Sequence, residues 1–151
     1  MELALINPTI TSIVSTTLFT QSISDTSRKI LDLVENIFNY GHDIQEIFND
    51  TDIQATLKTL DEFVKEIDDH NNKTIHIALD NLNNIIEELH TVINQIQAEC
   101  EYHKTKYFSS YRKLDLSEYC NIIKKKNKIL DKRFHLLIQL LQTKNMQNYI
   151  K

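Results

Sequence analysis

The chain has 151 residues with a single glycine, Gly41, and a single proline, Pro8, where average usage would give roughly 10 and 7. Two-residue hairpins and phosphate-cradling loops depend on glycine's access to positive φ, so sandwiches, barrels, Rossmann units and phosphate loops are all but excluded. A composition of 41% apolar and 25% charged residues belongs to a folded chain. A length of about 150 residues suits one core, so the expectation is one all-α domain over residues 1–151. Its architecture is expected to be an up-down bundle of four to five long amphipathic helices.

Asn7-Pro8 reads as a helix start, an N-cap residue followed by a proline where no N–H is needed. Ile10, Ile13, Val14, Leu18 and Phe19 follow at helical spacing and predict a helix over 8–24 with an apolar face. From Leu3 to Ser24 there is no charged residue; ten of the 22 are apolar and nine are Ser or Thr. The stretch is too polar to span a bilayer and reads as a partly buried first helix that could enter a membrane at little desolvation cost. Asp25-Thr26-Ser27 reads as the cap of a second helix over 26–49, striped by Ile30, Leu33, Val34, Ile37, Ile44, Ile47 and Phe48. Gly41 lies inside that stripe and is expected to kink it without ending it.

The polar cluster Asn49-Asp50-Thr51-Asp52 separates a third helix, 52–68, carrying Ile53, Leu57, Leu60, Val64 and Ile67. The fourth, 73–108, is the cleanest. Ile75, Leu79, Leu82, Ile86, Leu89, Ile93, Ile96, Cys100, His103 and Tyr107 repeat in steps of four and three, a heptad packing seam. Asp115, with Glu118 three residues on, forms a capping box for a last helix over 115–144. Leu136, Ile138 and Leu140 widen its stripe near the end, so this helix is expected to be the most buried of the five and to fray after Lys144.

The net charge of −4 conceals an asymmetry. Residues 1–102 hold 18 acidic and 5 basic side chains, giving −13, whereas residues 103–133 hold 3 and 10, giving +7. The basic segment contains Lys104, Lys106, Arg112, Lys113, Lys124, Lys125, Lys126 and Lys128, interleaved with Tyr102, Tyr107, Phe108 and Tyr111. Such a set either offsets the acidic helices beside it or attracts an anionic lipid or protein partner. A nucleic-acid binder would be basic throughout, and this chain has a pI near 5.8.

Signals for chemistry are sparse. Cys100 and Cys120 are too few for a disulfide scaffold or a structural zinc site and read as reduced thiols. Glu87-x-x-His90 is half of a di-iron motif with no second copy. The neighbouring carboxylates Asp61-Glu62, Asp68-Asp69 and Glu87-Glu88 point about 100° apart on a helix and read as solvent-facing charge. No catalytic, metal or cofactor site is expected, and no small-molecule substrate. Without a visible secretory signal, the expected location is the cytoplasm, peripheral to a membrane, or within a virion.

An uncharged first helix, acidic amphipathic helices and a long seam helix are followed by the elbow Tyr102-His103-Lys104-Thr105-Lys106-Tyr107-Phe108 and by Lys124-Lys125-Lys126. In layout this resembles the HeLo-type helical bundle, including the N-terminal four-helix bundle of mixed lineage kinase domain-like proteins. The resemblance implies a bundle that oligomerises, binds anionic lipid through Lys104, Lys106, Arg112, Lys124, Lys125 and Lys126, and acts in a cell-death or innate-defence pathway. The expected function is therefore a non-enzymatic interaction module, self-associating or docking helix to helix, that engages anionic membranes. The competing expectation is a structural or assembly protein, such as a small viral capsid or scaffold component, with no lipid activity.

Overall fold

The computed structural model describes residues 8–68, 72–106 and 114–150, for residues 8–15 the backbone alone. Among them run α1 (Pro8–Ile37), α2 (His42–Thr51), α3 (Ile53–Lys65), α4 (Lys73–Thr105) and α5 (Ser117–Ile150), with a 3-10 turn at Phe38–Tyr40. The fold is an all-α helical bundle.

Side-chain pairs set the directions of the helices. Thr16 bonds to His76 and Thr26 donates to Glu87, so α1 and α4 run parallel. Lys126 reaches Glu88 and Arg133 reaches the Asn81 carbonyl, which makes α4 and α5 antiparallel. Asn127 donates to the Thr51 carbonyl and Phe63 meets Phe134 edge-on at 5.3 Å, which aligns the α2–α3 leg with α5. The four legs therefore alternate in direction. α1 packs along both α3 and α4, and α5 along α4 and α2.

The sequence expectation of a break at 25–27 is overturned: α1 runs unbroken to Ile37. Of the residues that read as a cap, Asp25 is exposed on the helix while Thr26 and Ser27, with the neighbouring Ser24, are buried. Two of them are satisfied by other helices, Ser24 by Asp61 on α3 and Thr26 by Glu87 on α4 (2.7 Å). They lie beside a seven-residue repeat of buried positions, Thr16, Ile23, Ile30 and Ile37, and their small size admits neighbouring helices closely. Ser27 Oγ has no partner, a local cost accepted for that packing.

The expected kink at Gly41 is instead a helix end. The backbone leaves α1 through the 3-10 turn, is extended at Gly41 (φ 174°, ψ 163°) and restarts at His42. A Cβ at position 41 would touch nothing, so the break needs no glycine-specific conformation. Low helix propensity there suffices. The polar cluster at 49–52 narrows to one residue, Asp52, at φ 50° between α2 and α3, a left-handed position that Asp tolerates.

α4 forms the centre of the bundle. Asn72 caps it, accepting from the Thr74 and Ile75 amides at 2.9 and 3.2 Å. Every seam residue from Ile75 to Cys100 is buried, and a second stripe, Ala78, Ile85 and Val92, is buried beside it. The helix ends at Thr105, before the expected 108.

Asp115 accepts from the Ser117 amide at 3.0 Å, capping α5. The expectation that α5 is the most buried helix is overturned, since eleven residues are buried on α4 and four on α5. Its deeply buried apolar positions are Ile123, Leu130 and Leu137, seven residues apart, while Leu136 is 48% exposed. Successive residues turn by about 100°, so Leu136, Leu137, Ile138 and Leu140 cannot share one face. The helix also continues past Lys144 to Ile150.

Asp61, expected to face solvent, is buried. It accepts from Ser24 and from Arg28 (3.2 Å), with Lys65 at 3.5 Å. Burial alone pushes its carboxyl up, but the hydrogen bonds from Ser24 and Arg28 and the charges of Arg28 and Lys65 outweigh burial. The carboxyl is held below its ordinary value of 3.8. The folded pKa is depressed, so Asp61 stabilises the fold above its unfolded pKa, and that contribution is lost as pH falls through and below 3.8. Urea titrations should show the wild type losing stability over that acid window. Asp61→Asn should be about 2 kcal/mol weaker at pH 7 and lose less on acidification.

Candidate functional site

The predicted basic residues divide into three groups. On α5, Lys124, Lys125 and Lys128 are exposed, and none makes an ion pair among the described residues. Lys126, one step away in sequence, turns inward to Glu88 at 2.6 Å and is only 24% exposed. It serves the α4–α5 contact.

At the far end of α4, the Lys104 ammonium sits 4.1 Å from the Tyr40 ring centroid and that of Lys106 sits 4.4 Å from the Tyr102 ring. The first of these cation–π contacts ties the end of α4 to the turn after α1, and the second is local to the end of α4. Arg112 and Lys113 lie outside the described residues, as do Tyr107, Phe108 and Tyr111.

The sequence reading did not single out Lys132 or Ile129, and it placed Leu136 in the apolar stripe of the last helix. Lys132 is exposed and likewise makes no ion pair among the described residues. Lys124, Lys128 and Lys132 stand four apart, one above the other on the helix surface. Lys125, Ile129, Lys132 and Leu136 follow in steps of four, three and four, so apolar and cationic side chains alternate along one strip. Ile129 is 38% and Leu136 48% exposed. That spacing is the signal that would have found them, obscured because attention fell on the contiguous run 124–126.

On the first helix, Ile10, Ile13 and Val14 belong to the stretch whose side chains are not described. Leu18 is 63% exposed and Phe19 packs half-buried against the core. Thr16, on the same helix, is buried and bonded to His76. The packing seam (Ile75, Leu79, Leu82, Ile86, Leu89, Ile93, Ile96) is entirely interior.

The adjacent carboxylates serve packing: Glu87 with Thr26 and Glu88 with Lys126 join helices, and Glu62 pairs with Lys65 at 2.9 Å along α3. Burial pushes both thiols up, Cys100 and Cys120 alike, which suits packing more than nucleophilic chemistry. His42, Asp43 and Glu46 bring ligand atoms within 4.8 Å of one another on the exposed first turn of α2. The positive end of the helix dipole opposes a cation there. Among the described residues, no helix is long and apolar enough to cross a membrane.

What this geometry defines is an all-α bundle presenting one basic–apolar helix face. Comparison with family models, curated proteins and solved structures returns no match for the chain.

Proposed function

We propose that the chain is a non-enzymatic helical-bundle interaction module that docks the outer face of α5 onto an anionic membrane surface. The observation carrying this reading is the set Lys124, Lys125, Lys128 and Lys132, exposed, without acidic partners and interleaved with exposed Ile129 and Leu136. A helix lying at the headgroup level buries a few apolar side chains while cations meet anionic lipid. Each lysine near such a surface contributes about 1 kcal/mol. A solvated basic face on a soluble helix needs no isoleucine or leucine between its lysines, and that alternation favours a membrane over a purely electrostatic partner.

Peripheral attachment, without a spanning helix, follows from the same reading, and the resemblance to HeLo-type bundles belongs with it. Among the described residues this reading places the lipid-facing set on α5, because Lys104 and Lys106 are engaged with Tyr40 and Tyr102. Co-sedimentation with vesicles tests the proposal: binding to vesicles rich in phosphatidylserine and none to pure phosphatidylcholine is expected. Equal recovery with both, or with neither, rejects it.

A further inference from the structure

Resting on the membrane reading above, we infer that docking through α5 is strengthened by acid, with His135 and Asp131 as the groups that respond. Lys125, Ile129, Lys132 and Leu136 form one strip of the outer face. One residue earlier, Lys124, Lys128, Asp131 and His135 repeat the same steps of four, three and four. They form a second strip, about 100° around the helix from the first, and all four are exposed. Asp131 is the one carboxylate of α5 after Glu118, so at neutral pH the face holds four lysines and one opposing charge. His135 immediately precedes Leu136, which the docked helix carries to the headgroup level.

The charges around this pair are few. His135 lies about 180° around α5 from Lys126, which reaches Glu88, so the acids of α4 are on the far side. On the α2–α3 leg, Asp50 and Asp52 flank the Thr51 carbonyl that Asn127 meets, one turn from Asp131 and two from His135. Glu62 is held by Lys65, and Glu66 lines a cavity with Ile138, beyond His135. The neighbours on α5 itself are Lys124, Lys128 and Lys132. Among the described residues, neither Asp131 nor His135 makes an ion pair with any of these groups. Close packing raises the Asp131 carboxyl above its ordinary 3.8, and His135, one turn on, opposes the rise. An imidazole ordinarily gains its charge between about pH 8 and 5. Here that proton adds a fifth cation to the face, beside its one carboxylate. Further acid removes the Asp131 charge, earlier than for an ordinary aspartate. Both changes favour an anionic surface.

Equilibrium binding of the full chain to vesicles of phosphatidylglycerol and phosphatidylcholine at fixed salt tests this, because the phosphodiester keeps its charge throughout. Binding should be roughly fivefold tighter at about pH 5.5 than at about pH 7.5, the effect of one added charge at about 1 kcal/mol. His135→Gln should match the wild type at the higher pH and lose the gain. Asp131→Asn should already bind roughly fivefold tighter at the higher pH. His42→Gln, exposed on α2 and away from the face, should keep the gain. Equal wild-type binding at both pH values, or a gain that survives His135→Gln, overturns the inference and leaves the membrane reading standing. Absence of binding at either pH overturns both.

Discussion

Leu82→Ala lowers the unfolding free energy by about 3 kcal/mol, whereas Leu136→Ala changes it by less than about 0.5 kcal/mol. The two leucines look alike in the sequence, each inside an apolar helical stripe. Leu82 lies at 0% exposure on α4, the helix that packs against both α1 and α5, with the buried stripe Ala78, Ile85 and Val92 on its flank. Truncation there leaves a cavity that three helices would have to collapse around, and close-packed cores relax only partly. Leu136 is about half exposed on the outer strip of α5, so its loss removes few contacts. Urea unfolding of both variants measures the difference. Equal losses would mean that the outer face of α5 is packed, and would contradict its assignment as a docking surface.

Local periodicity carried the central helix. The four-three repeat from Ile75 to Ile96 needs only one helix to be read, and each of its positions is buried. The continuity of α1 was not readable in the same way. Asp25-Thr26-Ser27 looks like a cap because the partners of this stretch, Asp61 for Ser24 and Glu87 for Thr26, are 37 and 61 residues away in sequence. Only the packed bundle turns those polar side chains inward. Asp61 was misread for the same reason: a buried carboxylate is tolerable when Ser24, Arg28 and Lys65 converge on it, and that convergence has no sequence signature.

The basic face was half readable. Charge counting located the segment, yet three adjacent lysines on a helix cannot point one way. Lys126 pairs inward with Glu88, and Lys132 takes its place outside. Relative to the contiguous run 124–126 the strip loses Lys126 and gains Lys128 and Lys132, and with them come Ile129 and Leu136.

If the lysines of α5 face the bilayer, their position should matter and the net charge alone should not. K124E/K125E/K128E removes three attractions of about 1 kcal/mol each, which is more than about 100-fold in binding before repulsion is counted. K29E/K58E/K73E, on exposed positions of α1, α3 and α4, lowers the net charge equally, from −4 to −10. Those residues are off the α5 strip, and charges farther from the bilayer than the Debye length of about 10 Å at 0.1 M salt are screened from it. Side-by-side titration of both variants with phosphatidylserine vesicles is the deciding measurement. Loss of binding in the α5 variant with near wild-type binding in the control is the predicted result; equal loss in both, or retention in the α5 variant, would contradict it.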